Sequence, residues 1–384
     1  MTKKEHNSLL HIALVANATW NIYNFRKPLI NAFIEEGWKV SVIAPVDQYI
    51  IYLDELPGVK HYHLENLDRD GRNLWHDYKM ARELRKIYQQ IKPNLIIHFT
   101  HKPNLYGGWA ANQGNIPSLA VVTGLGYPFL NQSWLRRLII QFYRIASRYH
   151  RLFLFENTED CDLFFQEKIL SKTSQGIVVA GCGVDTEFFT PKVKRLTGEG
   201  LIFTFIGRLL YDKGTREFVQ AAQEVKKAYL STRFQLIGEL DQGNPAAVRK
   251  TELVDWIKEN AIEYLGFKND VRPYIADSDC IVLPSYREAI ARSLTEAMAM
   301  EKPVIASDVP GCHEIVDHEQ NGLLVPVKDA QALAGAMIRI IQMPEKKRNE
   351  MGRCGRQKII NQYSNEIVSQ QYISLIKNLE LTSE

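Results

Sequence analysis

The chain of 384 residues has few of the features that mark secreted, membrane-spanning or nucleic-acid-binding proteins. Its five cysteines are odd in number and scattered, without metal or redox spacing, which favours a reducing cytoplasm. No apolar run approaches the ~18–20 residues that cross a bilayer. The formal net charge is only +3, so the overall charge does not indicate nucleic acid as a partner.

Short apolar runs recur along the chain, separated by segments long enough for helices. Runs of this kind are typical of parallel strands buried on both faces, and their alternation with helices predicts an α/β fold. The length fits two doubly wound, Rossmann-like domains facing a cleft. The predicted strands are His11–Ala16, Val40–Ala44, Leu95–Phe99, Leu119–Thr123, Leu152–Phe155 and Val178–Ala180, then Ile202–Gly207, Phe234–Gly238, Glu263–Gly266, Cys280–Pro284, Val304–Ser307 and Leu323–Val325.

Two glutamates, Glu288 and Glu296, lie where the predicted strand Cys280–Pro284 gives way to a helix predicted over Ser293–Met300. A helix start at the carboxyl edge of a parallel sheet suits an anion such as a diphosphate. Carboxylates beside that anion would accept hydrogen bonds from sugar hydroxyls. Two ordinary interpretations stay open: Ser293 and Glu296 fit a capping box, and Glu288 fits a solvated loop residue.

A basic loop follows the predicted strand Ile202–Gly207. Gly207 would let a ligand approach the backbone, and Arg208 and Lys213 could converge on one anion. An ordinary surface loop with two basic residues would have the same sequence. The loop alone therefore does not decide between binding and mere exposure.

These segments together resemble the carboxyl half of family 4 nucleotide-sugar glycosyltransferases, which have the GT-B fold. The resemblance covers the loop with Gly207-Arg208 and Lys213-Gly214, and about forty residues that begin at Glu288. The matching residues in that second stretch are Glu288, Glu296, Ala297-Met298-Ala299, Pro303-Val304-Ile305, Asp308, Pro310-Gly311, Glu314 and Asn321-Gly322-Leu323. Two departures are Ala289, where most relatives have glycine, and Ala291, where many have proline.

The resemblance implies a UDP-sugar donor bound in the second half and transfer with retention of anomeric configuration. It implies that Arg208 and Lys213 neutralise the leaving diphosphate, that Glu288 touches the transferred sugar and that Glu296 holds the ribose. Because two cations already balance the diphosphate, no metal ion or other cofactor is expected. The catalytic residues are then Arg208, Lys213 and Glu288, and the nucleotide-binding residues are Gly207, Gly266, Phe267, Ile290, Ala291, Arg292, Ser293 and Glu296.

The domain boundaries follow from the same pattern. We predict an acceptor-binding domain over residues 1–188, a linker within Pro191–Gly200, and a nucleotide-sugar domain over residues 189–363. As in relatives, residues 364–384 should form a helix that returns to the first domain.

The first half is similar to a bacterial branch that extends polyprenyl-diphosphate-linked glycans, including N-acetylgalactosaminyltransferases. The similarity lies in the segments that begin at Asn17, Thr100 and Val121. It implies a lipid-linked glycan acceptor in the assembly of bacterial surface polysaccharide or glycan, such as O-antigen. The acceptor-side candidates are Asn17, Arg26, His101, Lys102, Thr123 and Gly124, with Thr123 at the position where many relatives have histidine.

The stretch from Leu84 to Phe155 contains no Asp or Glu but many basic residues. This pattern favours a basic amphipathic helix lying on an anionic membrane, with the protein peripheral to the inner face of the cytoplasmic membrane. A domain helix with a basic outer side is the ordinary alternative. The predicted basic face holds Arg137, Gln141, Arg144, Arg148 and Arg151, and the predicted apolar residues are Leu135, Leu138, Ile139, Phe142, Ile145, Tyr149 and Leu152, with Trp134 nearby.

Three functions remain compatible with the sequence. The first is the glycosyltransferase. The second is a sugar-nucleotide epimerase of the same fold, which would need no lipid acceptor. The third is a non-catalytic subunit of a polysaccharide assembly complex.

Overall fold

The computed structural model describes residues 10–68, 74–126, 129, 134–170, 175–192, 200–241, 243–244 and 246–379. The chain divides into two compact units, Met1–Gly183 with Asn365–Glu384, and Val184–Ser364. The first boundary therefore lies before the predicted residue 188. Residues 193–199 of the predicted linker lie outside the described residues.

The first unit contains a parallel sheet with the strand order β3-β2-β1-β4-β5-β6-β7 within the described residues. Its central strands are mostly apolar and are buried along their whole length, as a sheet covered on both faces requires. The outermost strands are the most polar. The strands are β1 His11–Val15, β2 Lys39–Ala44, β3 Lys60–His63, β4 Leu95–Phe99, β5 Ser118–Val122, β6 Leu152–Phe155 and β7 Gln175–Val178.

Helices cover both faces of this sheet, and separate apolar clusters fill the space beneath them. The last helix of the chain packs into the first unit, where Tyr372 is fully buried against the cluster that contains Ile30. The helices are α1 Thr19–Phe25, α2 Lys27–Glu35, α3 Tyr52–Glu55, α4 Leu74–Ile91, α5 Gly108–Asn112, α6 Trp134–Ala146, α7 Thr158–Gln166 and, at the end of the chain, α14 Asn365–Lys377.

The second unit contains a parallel sheet with the order β10-β9-β8-β11-β12-β13 and one large apolar core. Its strands are β8 Ile202–Ile206, β9 Arg233–Ile237, β10 Glu263–Gly266, β11 Cys280–Leu283, β12 Val304–Ser307 and β13 Gly322–Val325. Its helices are α8 Thr215–Lys226, α9 Lys250–Lys258, α10 Arg272–Asp277, α11 Arg292–Ala299, α12 Ala330–Gln342 and α13 Glu345–Lys358.

Both units have the doubly wound topology. In each sheet, the second and third strands of the unit are added on one side of its first strand, and the later strands are added on the other side. The reversal falls between β1 and β4 in the first unit, and between β8 and β11 in the second. Such a switch point opens a crevice at the carboxyl ends of the two strands, where ligands of open α/β sheets bind. Within the residues described above, no helix combines the length and the apolarity of a bilayer-spanning segment.

Candidate active site

The switch point of the second unit is formed by the loops that follow β8 and β11. The two strands are hydrogen-bonded neighbours, so both loops begin at the same edge of the sheet. The first loop passes through a short 3₁₀ turn, Tyr211–Lys213, and ends at Gly214, whose φ of +72° is left-handed. A side chain on Gly214 would collide with the carbonyl of Pro284, so only glycine lets the loops pack this closely.

Lys213 and Glu288 meet where these loops touch. The Lys213 Nζ atom donates to both Glu288 carboxylate oxygens, at 2.6 and 2.7 Å. The side chains are 22% and 13% exposed, so the pair is partly removed from water but still reachable by a ligand. The structure thus brings together one predicted cation and one predicted sugar-binding carboxylate.

Asp212 is a member of this cluster that the sequence analysis missed. Burial is the main reason why the pKa of Asp212 lies above its usual value, and the nearby Glu288 charge raises it further. Lys213 and Arg208 act in the opposite direction, so both predicted cations lie within electrostatic range of one carboxyl group. Among the described residues, the buried Oδ1 atom of Asp212 has no hydrogen-bond partner. The only signal in the sequence was its position between the two cations.

Arg208 lies on the same loop but makes a different ion pair. Its Nη1 atom is 3.2 Å from Oδ2 of Asp241, and the Arg208 side chain is 49% exposed. The preceding residue, Gly207, directly follows β8, and its backbone N–H donates to the carbonyl oxygen of Ile237 in β9 at 3.0 Å. The sheet therefore holds the backbone beside Arg208, while the half-exposed guanidinium can replace its contact with Asp241 by a contact with a more highly charged anion.

The helix α11 begins four residues after Glu288, at the same edge of the sheet. It starts at Arg292 rather than Ser293, and its N-cap, Ala291, supplies no side-chain hydrogen bond. The capping-box interpretation of Ser293 and Glu296 is therefore wrong. Glu296 instead accepts from Nε of Arg292 at 2.7 Å, and only 11% of the Glu296 side chain is exposed. The helix start is left without a side-chain cap, as an anion-binding helix terminus requires.

A turn after β12 fixes the backbone of Glu288. Glu288 N donates to Pro310 O at 3.1 Å, and Ala291 N donates to Gly311 O at 3.0 Å. Gly311 has a φ of +78°, and a Cβ atom there would lie 2.6 Å from the Glu288 carbonyl oxygen. The segment from Glu288 to Ala291, which includes the half-buried Ile290, is therefore clamped between two loops of the same sheet edge.

The residues predicted to meet the base lie at the end of β10. Gly266 has a φ of +73°, and its carbonyl accepts from Gly238 N at 3.1 Å, which joins the ends of β10 and β9. The next residue, Phe267, is 58% exposed. An exposed aromatic ring at the carboxyl edge is available for stacking, two strands away from β8.

The acceptor-side candidates occupy the corresponding edge of the first unit. Arg26 is almost fully buried, with its guanidinium 4.2 Å from the centre of the Phe99 ring and Nη2 3.7 Å from Oε1 of Glu156. Burial raises the pKa of Glu156, and Arg26 opposes that shift. Sequence reasoning missed Glu156, because the chain separates it from Arg26 by more than a hundred residues.

The other acceptor-side candidates differ in their surroundings. His101 is exposed, and its Nδ1 atom is hydrogen-bonded to the Tyr143 hydroxyl at 2.8 Å. Lys102 forms an ion pair with Asp77 at 2.7 Å. The remaining three, Asn17, Thr123 and Gly124, are half-buried at the carboxyl ends of β1 and β5.

The predicted basic helix exists, but its faces differ from the prediction. It ends at Ala146, so Arg148 and Arg151 lie beyond it and Leu152 begins β6. Arg144 turns inward and donates to the carbonyl of Glu167. The outer side is a mixed surface whose exposed members include Trp134, Arg137, Leu138, Gln141 and Ile145.

Two family models match the chain, one in each unit. Residues 200–343 match the model described as glycosyl transferases group 1. Residues 11–157 match the model described as glycosyl transferase 4-like. The two matches include the switch points of both sheets.

Curated relatives resemble nearly the whole chain. An N,N'-diacetylbacillosaminyl-diphospho-undecaprenol alpha-1,3-N-acetylgalactosaminyltransferase from Campylobacter jejuni is 29% identical, over 96% of this chain and 100% of the relative. A UDP-Gal:alpha-D-GlcNAc-diphosphoundecaprenol alpha-1,3-galactosyltransferase from Escherichia coli is 25% identical, over 82% of each chain.

Solved structures of low sequence identity share the fold. Sucrose-phosphate synthase from Thermosynechococcus elongatus is 20% identical, with a TM-score of 0.79 over 96% of this chain and 99% of that one. Anabaena Alr3699/HepE in complex with UDP-glucose is 18% identical, with a TM-score of 0.77 over 96% of this chain and 100% of that one. Together with the strand orders of both units, these likenesses confirm the predicted fold class.

Proposed function

We propose, on the premise that this chain belongs to the family 4 glycosyltransferases, that it transfers a hexose or N-acetylhexosamine from a UDP-sugar to a polyprenyl-diphosphate-linked glycan. The observation that carries the proposal is the meeting of Lys213 and Glu288 beside the start of α11. A cation, a carboxylate and an uncapped helix terminus at one sheet edge suit a diphosphate joined to a sugar.

The donor would lie along the carboxyl edge of the second sheet. Its diphosphate would take Lys213 from Glu288 and Arg208 from Asp241, and both displaced carboxylates could then accept hydrogen bonds from hydroxyl groups. Glu296 would hold the ribose, one turn further along α11. The Lys213–Glu288 ion pair keeps both of its side chains in place before the donor binds, which lowers the entropy lost on binding.

The chemistry would depend on charge. As the bond between the anomeric carbon and the phosphate oxygen breaks, negative charge grows on the diphosphate, and Lys213, Arg208 and the start of α11 would stabilise it. The acceptor oxygen attacks from the same face, and its proton passes to the departing phosphate oxygen. The configuration is then retained, no protein base is needed, and no metal ion is required to balance the diphosphate.

The acceptor class is taken from the curated relatives. Two of them carry names that specify undecaprenyl-diphosphate-linked acceptors, and one of those names also specifies UDP-Gal as the donor. We assign the acceptor to the first unit, at the edge that carries Arg26, Glu156 and His101. This places the reaction in the assembly of bacterial surface polysaccharide or glycan.

The proposal is tested by a donor and acceptor screen. The purified chain is incubated with UDP-Gal, UDP-GalNAc, UDP-Glc and UDP-GlcNAc, each with and without a short polyprenyl-diphosphate glycan. We expect UDP release from one or two donors that depends on the acceptor, an extended glycan with retained configuration by NMR, and equal rates with EDTA. Sugar-nucleotide conversion without acceptor, or no turnover of any donor, would contradict the proposal.

We also propose that the first unit docks on the anionic, cytoplasmic face of the membrane through α6. The exposed residues Trp134, Leu138 and Ile145 would enter the headgroup region, and the neighbouring Arg137 would meet anionic phosphates. Each basic residue near such a surface contributes about 1 kcal/mol. In liposome flotation, an Ile145→Glu variant should bind anionic vesicles less than the wild type. Equal binding to neutral vesicles, unaffected by salt, would refute this docking mode.

A further inference from the structure

A pocket with an almost entirely apolar lining lies in the first unit, between α4, α5, α6 and the π-helical turn Pro103–Gly107. Its volume is about 260 Å³. Since an apolar cavity of ~150 Å³ holds one benzene molecule, a volume of this size holds about ten carbon atoms. We call it the apolar pocket, and its lining residues are Tyr78, Ala81, Tyr106, Trp109 and Phe142.

The walls of the apolar pocket are fixed by polar contacts behind them. The buried Asp77 carboxylate accepts from the Tyr106 hydroxyl at 3.0 Å and from Lys102 Nζ at 2.7 Å, which ties α4 to the π-helical turn. The turn lies so close to the sheet that a side chain on Gly107 would collide with the buried ring of His98. The pocket is therefore preformed, which reduces the entropy lost when a flexible chain binds.

The mouth of the pocket is aromatic and cationic. Tyr78 is 46% exposed and stacks on the exposed Trp75, with ring centres 5.6 Å apart. The exposed Arg82 lies over the Tyr78 ring, with its guanidinium carbon 5.9 Å from the ring centre. Of the acidic residues on α4, Asp77 is buried and Glu83 accepts hydrogen bonds from backbone N–H groups of the preceding loop. The mouth thus suits a hydrocarbon attached to an anion.

We propose that the apolar pocket binds the first isoprenoid units of the lipid-linked acceptor, next to its diphosphate; this inference rests on the proposed function. The π-helical turn that supplies Tyr106 follows His101 and Lys102 directly in the chain. His101 is hydrogen-bonded to Tyr143, the neighbour of the pocket residue Phe142. The residues predicted for the polar part of the acceptor and the apolar pocket therefore share one turn and one helix. A hydrocarbon joined to that polar part would therefore begin near the pocket.

Direct binding tests the pocket without any turnover. Isothermal titration uses farnesyl diphosphate, farnesol, inorganic diphosphate and a straight-chain lysophospholipid on the wild type and two variants. Tyr78→Glu places a charge in the mouth, and Gln89→Glu makes the same charge change at an exposed position further along α4. We expect Tyr78→Glu to weaken farnesyl diphosphate about tenfold, the loss that follows when about two methylene groups return to water. Gln89→Glu should bind as the wild type does. Because the new charge near Arg82 also repels anions, inorganic diphosphate measures the electrostatic part of the loss, and the uncharged farnesol should still bind Tyr78→Glu more weakly than Gln89→Glu.

Equal affinity of Tyr78→Glu and Gln89→Glu for farnesyl diphosphate would overturn the assignment. So would equal, Tyr78-dependent binding of the lysophospholipid, because the pocket would then take any membrane lipid. Thermal unfolding of both variants checks that neither has lost its fold.

Transfer assays separate this inference from the function on which it rests. The same glycan diphosphate is offered with an ethyl group or a farnesyl chain. We expect the wild type to have a KM about tenfold lower for the farnesyl acceptor, with equal kcat, and Tyr78→Glu to lose that difference. Transfer to both acceptors with equal KM overturns the pocket and leaves the function intact. Tyr78-dependent binding without transfer to either acceptor overturns the function and supports the pocket.

Discussion

Replacing Lys213 by methionine removes the charge and keeps most of the apolar stem. In the wild type, Lys213 Nζ donates to both oxygens of Glu288, whose side chain is only 13% exposed. The substitution leaves the Glu288 carboxylate in this partly buried position without that cation, a change that costs about 3 kcal/mol in comparable pairs. Asp212 loses one of the two cations that lower its pKa, so its carboxyl group becomes easier to protonate.

The double variant Lys213→Met/Glu288→Gln separates stability from catalysis. It removes both charges, so most of the lost stability should return, since a partly buried ion pair and a neutral pair of similar volume differ little. Activity should not return. Losing one electrostatic stabiliser of the leaving group lowers the rate by ~100-fold or more, and the neutral pair supplies none.

The measurements are urea unfolding and initial rates of acceptor-dependent UDP release, for the wild type, both single variants and the double variant. We expect kcat/KM to fall at least ~100-fold in Lys213→Met and in Glu288→Gln, with binding of UDP weakened only in the former. Recovery of activity together with stability in the double variant would show that the pair is only structural. Wild-type rates in both single variants would remove Lys213 and Glu288 from the active site altogether.

Three further predictions concern other parts of the chain. Burial lowers the pKa of His150 to about 4, so between pH 6.5 and pH 4 only the unfolded chain binds a proton at this histidine, and the free energy of unfolding rises with pH. Replacing His150 by glutamine should therefore reduce the slope of that free energy against pH by about 1.4 kcal/mol per pH unit in this range. Gly311→Ala should cost about 1–2 kcal/mol in urea unfolding and lower kcat/KM, because the left-handed backbone disfavours a side chain and the new methyl group displaces Glu288. The control Gly335→Ala, in a helix with open space around it, should stabilise by about 0.5–1 kcal/mol. Glu296→Gln should weaken UDP about tenfold and leave 2′,3′-dideoxy-UDP unchanged, in competition assays against the donor.

The buried strands were predictable because burial on both faces leaves a continuous apolar run. Leu95–Phe99, Leu152–Phe155 and Val304–Ser307 have the bounds that the sequence indicates, and so does the half-buried edge strand Glu263–Gly266. Lys60–His63 was missed, since this strand pairs on one side only and is polar. The strand predicted over Val178–Ala180 instead ends at Val178 and lies at the other edge of this sheet. In the first sheet, the pattern is therefore weakest at the two edges.

On the donor side, the sequence indicates which residues come together better than it indicates which ion pairs they form. Lys213 and Glu288 follow two strands that the topology places side by side, so their proximity follows from the predicted sheet. The partner of Arg208 could not be predicted in this way. Asp241 follows a different strand, and several acidic residues in that region would fit the sequence equally well. Likewise, Glu296 fitted a cap for Ser293 until the structure placed the helix start one residue earlier.

The acceptor side was harder to predict because its residues are held by contacts between distant parts of the first unit. Arg26 lies against Phe99 and Glu156, and these three residues belong to distant parts of the chain. The sequence pattern does not indicate which of many such distant residues come into contact. A nucleoside diphosphate needs cations and a helix start, which leave a readable spacing in the sequence. A lipid-linked glycan needs shape, apolar surface and a few hydroxyl partners, none of which requires a fixed spacing. Although the two sheets have the same topology, the sequence therefore identifies the donor edge of the second sheet, whereas the acceptor edge of the first sheet is defined only by the three-dimensional structure.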